Sequence, residues 1–120
     1  MKKKTLVLGA SLKTDRYSNI AVTKLVNYEH PVVAFGLRKG VVSGIEIDTE
    51  LKAYKAIDTV TLYLNPKRQE AYYNYVISLS PQRVIFNPGT ENEAFYKLLD
   101  KNGIAYEVAC TLVLLSTNQY

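Results

Sequence analysis

Five short apolar runs, each continuous rather than alternating, set the terms for this chain: Leu6 to Leu8, Val32 to Phe35, Val60 to Leu64, Val84 to Phe86, and Tyr106 to Ala109 with an apolar continuation through Leu115. A strand with one wet face alternates apolar and polar residues. A strand that is apolar on both faces belongs in a parallel sheet covered by helices on both sides. Parallel neighbours need a crossover between them, and three of the four intervening segments carry helical signals.

The first crossover holds a stripe of Ile20, Ala21, Val22, Leu25 and Val26 with Tyr28; Ser18 or Asn19 offers an N-cap oxygen, and Pro31 bounds the far end. Asn65-Pro66 predicts a second helix start, with Tyr72, Tyr73, Val76 and Ile77 on one side and Pro81 as its limit. Thr90 and Glu93 have capping-box spacing, Phe95, Leu98 and Leu99 form an apolar face, and Gly103 suits a left-handed terminator. Between Lys39 and Asp58, Gly40, Gly44 and Ile45-Glu46-Ile47-Asp48 predict a turn and a short extended piece before a short helix around Leu51 to Ala56. With right-handed crossovers these elements make a three-layer, doubly wound, Rossmann-like α/β sheet of about five strands, a single domain over residues 1–120.

Composition then narrows the functions. At 48% hydrophobic and 22% charged residues the chain reads as globular rather than disordered. A net charge of +4 favours anionic ligands without pointing to nucleic acid. One cysteine and one histidine supply neither a disulfide framework nor a zinc site, so a cytoplasmic setting is expected. The apolar run after Lys2-Lys3-Lys4 is too short for a signal peptide, and no stretch approaches the roughly 20 residues of a membrane span.

In an open parallel sheet, ligands bind beyond the carboxyl ends of the strands, where helix placement switches faces. The loop after the first strand, Gly9-Ala10-Ser11-Leu12-Lys13-Thr14-Asp15-Arg16-Tyr17-Ser18-Asn19, begins with small residues that let backbone amides approach a phosphate. Lys13 and Arg16 add charge-assisted donors. Gly9, Ser11 and Thr14 stand where a dinucleotide fingerprint has three glycines, and no P-loop Gly-Lys-Ser/Thr occurs. After the second strand, Gly36-Leu37-Arg38-Lys39-Gly40 offers two cations where an NAD-binding chain places an acid. A phosphorylated ribose fits better, leaving NADP and coenzyme A as candidates; the glycine-poor first loop argues against NADP.

These loops resemble the small, single-domain members of the CoA-binding family, whose fold is similar to the nucleotide-binding half of the succinyl-CoA synthetase alpha subunit. The resemblance rests on Gly9-Ala10-Ser11 and Arg16-Tyr17-Ser18-Asn19 and covers nearly the whole chain. It implies binding of coenzyme A or an acyl-CoA, with the pyrophosphate on the Ser11 to Asn19 loop and the 3′-phosphate on Arg38 and Lys39. It also implies that Asn65-Pro66 and Asn87-Pro88-Gly89 close strand ends against adenine and the pantetheine arm. Gly89-Thr90-Glu91-Asn92-Glu93 is similar to the family's Gly-x-x-Asn-Glu helix start. The chain departs from the family at Ala34-Phe35-Gly36-Leu37, Ile85-Phe86-Asn87-Pro88-Gly89 and Val108-Ala109-Cys110, where Pro-Val-Asn-Pro, Trp-x-Gln-x-Gly and Asp-Arg-Cys are usual.

Cys110 reads as a partly buried core thiol, with a mixed disulfide to a thiol ligand as its alternative. His30 falls at the amino end of the second strand, the wrong edge for chemistry. Glu91 and Glu93 read as first-turn carboxylates, and Tyr72, Tyr73 and Tyr75 as helix packing. Leu112-Val113-Leu114-Leu115 must cover the core or a partner, which makes a homodimer an expectation. No acid, base or nucleophile stands out at the strand ends. Binding is therefore the first reading; an NADP-linked or acyl-CoA-transforming enzyme and a regulatory scaffold are the others.

Overall fold

The computed structural model describes residues 2–120. Its strands are β1 (Thr5–Ala10), β2 (Val32–Gly36), β3 (Gly40–Val42), β4 (Ile45–Asp48), β5 (Thr59–Leu62), β6 (Arg83–Phe86) and β7 (Ala105–Val108), in the order β3-β4-β2-β1-β5-β6-β7. Every neighbouring pair is parallel except β3 against β4. The helices are α1 (Tyr17–Asn27), α2 (Pro66–Gln69), α3 (Tyr73–Ser78), α4 (Glu93–Lys101) and α5 (Thr111–Ser116), with a 3₁₀ turn at Glu70–Tyr72 joining α2 to α3.

The five apolar runs become β1, β2, β5, β6 and β7, and the doubly wound α/β architecture follows. Alternation along β1 shows why both faces are apolar. Leu6 and Leu8 enter one core with Leu62, Phe86, Phe95 and Leu99, while Val7 enters the other with Val22, Leu25 and Leu115. Removing both faces from water supplies the main drive for the central strands.

Several expectations are corrected. The sheet has seven strands rather than five, because Ile45–Asp48 pairs back onto Gly40–Val42. Ser43 and Gly44 take positive φ of 49° and 81°, the twist a two-residue hairpin loop demands. No helix forms over Leu51 to Ala56; Ile57 is buried in the core with Tyr54 packed against it, and side chains hold the segment instead. Asp48 accepts hydrogen bonds from the Tyr54 hydroxyl and, at 2.9 Å, from Lys52, while the Tyr75 hydroxyl donates to the Lys52 carbonyl at 2.6 Å. The terminal apolar run leaves the sheet at Val108 and continues as α5. Leu115 is buried in the second core, so the run covers the core, while Val113 stays 56% exposed.

The helix starts also shift. Ser18 and Asn19 lie inside the first turn of α1, whose N-cap is Arg16. Asn92, not Thr90, caps α4, its side chain accepting from the Phe95 amide; the Thr90 hydroxyl donates instead to the Asn87 carbonyl, closing the preceding turn. Asn65 caps α2 as its pairing with Pro66 predicts, and Gly103 takes φ 68° after α4. No helix among the described residues is long and apolar enough to cross a membrane.

The Asp48 cluster carries a pH dependence. The Tyr54 hydroxyl first, then Lys52, hold its carboxyl below the ordinary 3.8. A depressed carboxyl contributes stability that is complete above the unfolded value and is lost as pH falls through the folded one. Asp48→Asn is therefore expected to lower the thermal midpoint at pH 7, with the gap to the parent closing below pH 3.8. A gap that persists unchanged in acid would show that ionisation of Asp48 contributes nothing.

Candidate functional site

The strand order reverses at β1, which has β2 on one side and β5 on the other. Opposite crossovers leave a gap above their carboxyl ends, the place an open α/β sheet offers a ligand. A cleft of about 500 Å³ occupies it, bounded by the β1–α1 loop, the end of β2, and the β5–α2 connection. Gly9 makes the tight start of the loop. Its φ is +101°, and a Cβ there would stand 3.0 Å from Leu64 Cδ2 and 3.1 Å from the Tyr63 carbonyl carbon.

The loop is braced from within. The Lys13 amide donates to Ser11 Oγ at 3.1 Å, and Arg16 donates to the Lys13 carbonyl at 3.1 Å. Buried Asn19 reaches back to donate to the Ser11 carbonyl at 2.9 Å. This bracing aims the loop at α1, whose N-cap Arg16 makes no side-chain cap and whose first turn holds no acid. The Asn19 amide donates to the Arg16 carbonyl at 3.1 Å, which leaves the Tyr17 and Ser18 amides for an external acceptor, in the field of the helix dipole.

Cations surround that point. Lys13, Arg16, Arg38 and Arg68 all line the cleft, and none has a carboxylate within salt-bridge distance among the described residues, whose ion pairs are Lys52–Asp48 and Arg83–Glu107. Asp15 is the one carboxylate in the wall. Like charges crowd this way at a modest energetic penalty while exposed to water, and an anion between them removes the penalty. Apart from Ser11 and Ser18, the rest of the wall is glycine, aliphatic or aromatic. Tyr17 and Leu37 stand 67% and 69% exposed at the rim, and Tyr72 packs edge-on against Phe35 at 5.5 Å.

Of the residues singled out in the sequence, Gly9, Ala10, Ser11, Lys13, Arg16, Tyr17 and Ser18 share the cleft wall with Gly36, Leu37 and Arg38. Asn19 lies behind the wall as a brace, and Lys39 is exposed outside it. Asn65 and Pro66 start the helix that carries Arg68 without lining the cleft themselves. Asn87, Pro88 and Gly89 also stand apart. Asn87 is buried, donating to Thr61 Oγ1 at 2.7 Å and to the Leu62 carbonyl at 2.9 Å while accepting from the Thr111 amide, so its polar atoms tie α5 to the sheet. Gly89 donates its amide to Glu91.

Cys110 is half-buried at the N-cap of α5. His30 sits at the opposite edge of the sheet, its Nδ1 accepting the Lys3 amide at 3.0 Å. Burial first, and then the neighbouring lysines, keep its pKa below the ordinary value.

Sequence reasoning missed Leu12, Asp15, Phe35, Tyr63, Leu64, Arg68 and Tyr72. Arg68 has a usable signal, lying one helical turn past the end of an apolar run, on the same sheet edge as the β1–α1 loop and Arg38. Tyr63 has none, because its place depends on tertiary packing against the second core. Its hydroxyl is buried without a hydrogen-bond partner, and burial pushes its ionisation above the ordinary phenol range.

Residues 3–116 match the family described as "CoA binding domain". A crystal structure of an uncharacterized protein is 47% identical, covering 100% of this chain and 99% of that one, at a TM-score of 0.97. A hypothetical protein from Pyrococcus horikoshii OT3 is 26% identical, covering 97% and 83%, at 0.86. A protein from Thermus thermophilus, at 21% identity and 99% and 91% coverage, shares the fold at 0.85. No curated protein gives a significant match. The chain belongs to the CoA binding domain family.

Proposed function

We propose that this chain binds coenzyme A or an acyl-CoA. The observation that carries the reading is that Lys13, Arg16 and Arg38, all without ion-pair partners among the described residues, share with an uncapped helix start a cleft that also exposes apolar side chains. The pyrophosphate lies on the Ser11 to Ser18 loop, taking the Tyr17 and Ser18 amides of α1 with Lys13 and Arg16. Asn19 positions that loop without touching the ligand. Arg38 takes the 3′-phosphate. Lys39, exposed outside the wall, adds long-range charge rather than contact. Tyr17 and Leu37 offer apolar surface to the adenine ring. Membership of the CoA binding domain family supports the ligand class. The role is binding rather than turnover: the wall's one carboxylate, Asp15, lies exposed among cations.

Calorimetric titration of the purified protein with coenzyme A, dephospho-CoA, NADP and ATP, at one fixed salt concentration, tests this. Coenzyme A is expected to bind at micromolar concentration and dephospho-CoA at least about tenfold more weakly, the effect of one lost charge-assisted contact. Saturable binding of NADP without binding of coenzyme A would overturn the assignment.

A further inference from the structure

Once Lys13 and Arg16 face the pyrophosphate and Arg38 the 3′-phosphate, one cleft cation remains. Arg68 enters from the β5–α2 side, among Leu64, Tyr63 and Tyr72. Its guanidinium has neither a hydrogen bond nor an ion pair among the described residues, although its own amide donates to Asn65 Oδ1 at 2.9 Å.

The turn that carries it is firmly built. Gln69 is 1% exposed, and its Nε2 donates at 2.8 Å to both the Leu64 and Thr90 carbonyls. Its Oε1 accepts from Asn92 at 2.9 Å. A buried, fully bonded amide fixes the turn against the loop after β6. Arg68 is therefore a single fixed-origin cation on a wall that is otherwise apolar. Such a wall suits the neutral part of a ligand that ends in one negative group. Arginine is the side chain best shaped to grip a carboxylate.

Resting on the coenzyme A reading, we propose that Arg68 recognises a terminal carboxylate on the acyl group, so that the preferred ligand is an acyl-CoA of a dicarboxylic acid. The pantetheine arm lies along Tyr63, Leu64 and Tyr72 and delivers the acyl end to the guanidinium.

The test is calorimetric titration of the parent and Arg68→Gln with glutaryl-CoA and valeryl-CoA, which match in chain length and differ in the terminal carboxylate. Coenzyme A and dephospho-CoA are run alongside. The parent is expected to bind glutaryl-CoA about tenfold more tightly than valeryl-CoA, and Arg68→Gln to abolish that preference by bringing glutaryl-CoA affinity down to that of valeryl-CoA. Equal affinities in the parent overturn the proposal without any variant being needed. So does an Arg68→Gln that weakens coenzyme A but spares dephospho-CoA, which would place Arg68 on the 3′-phosphate. In both cases the coenzyme A reading stands. Failure of the parent to bind coenzyme A or either thioester removes that reading and this proposal together.

Discussion

Replacing Gly36 with alanine is expected to destabilise the domain by about 3 kcal/mol, near the upper end of overpacking penalties. The added Cβ would fall 2.2 Å from the Ala10 carbonyl oxygen and 3.1 Å from Ile47 Cγ2. The first of these is backbone, fixed by the pairing of Ala10 with Gly36 where β1 and β2 end. Strand separation or a broken ladder is the only relief. Gly40→Ala is the informative contrast. Its Cβ would meet Leu12 Cδ2 at 2.3 Å, a closeness similar on paper, but Leu12 is 40% exposed and its flexible end can turn aside. That variant should lose only about 1 kcal/mol, the low end of the same range. Urea denaturation of the two variants beside the parent checks both values. Similar midpoints for both would show that the β1–β2 junction yields as easily as a surface side chain. Because Gly36 also lines the cleft, its loss is expected to displace Arg38 and weaken ligand binding in whatever fraction stays folded.

The legible parts of the fold were those in which one local pattern has one physical reading. Val84 to Phe86 and Leu6 to Leu8 are apolar on both faces, and only a covered parallel strand accepts that. Asn65-Pro66 and Gly103 are stereochemical instructions, and both are obeyed. Errors arose where two local partners compete. Thr90 and Glu93 have capping spacing, yet the Thr90 hydroxyl donates to Asn87 and α4 opens later, under Asn92. The hairpin needed Ser43 in the left-handed region, which serine adopts only when tertiary contacts hold it, here including its hydroxyl contact with Thr23 at 2.6 Å.

The same division runs through the site. The β1–α1 loop and Arg38 follow from topology plus charge, because both directly follow an obvious strand. Arg68 and Tyr72 reach the cleft from the segment after β5, where Asn65-Pro66 signals a helix start and carries no information about the side chains that follow it. Asn87 shows the converse. An asparagine at the end of a strand on the right edge looks like a ligand contact, but its amide joins Thr61, Leu62 and Thr111 inside the protein.

Arg16→Asp should separate stability from function most sharply, because the two are expected to move in opposite directions. Arg16 is the N-cap of α1, makes no side-chain cap, and places a cation at the positive end of the helix dipole. Aspartate supplies the missing cap oxygen and the favoured charge, and should raise stability by about 1 kcal/mol. On the proposed coenzyme A reading, the same change removes a donor from the cleft and sets a carboxylate against the ligand's pyrophosphate. A lost charge-assisted contact plus new repulsion predicts coenzyme A binding weaker by about a hundredfold or more. Arg16→Ala separates the contributions, since it should lose affinity without gaining a cap. Urea denaturation and calorimetry on the three proteins provide the readout. If Arg16→Asp gains stability and keeps its affinity, the pyrophosphate does not lie at this helix start. If affinity falls but stability falls with it, Arg16 holds the loop together, and its service to the ligand is indirect. The expected pattern, a more stable protein that no longer binds, would explain why a helix opening on a cleft of unpaired cations begins with the residue that suits the helix least.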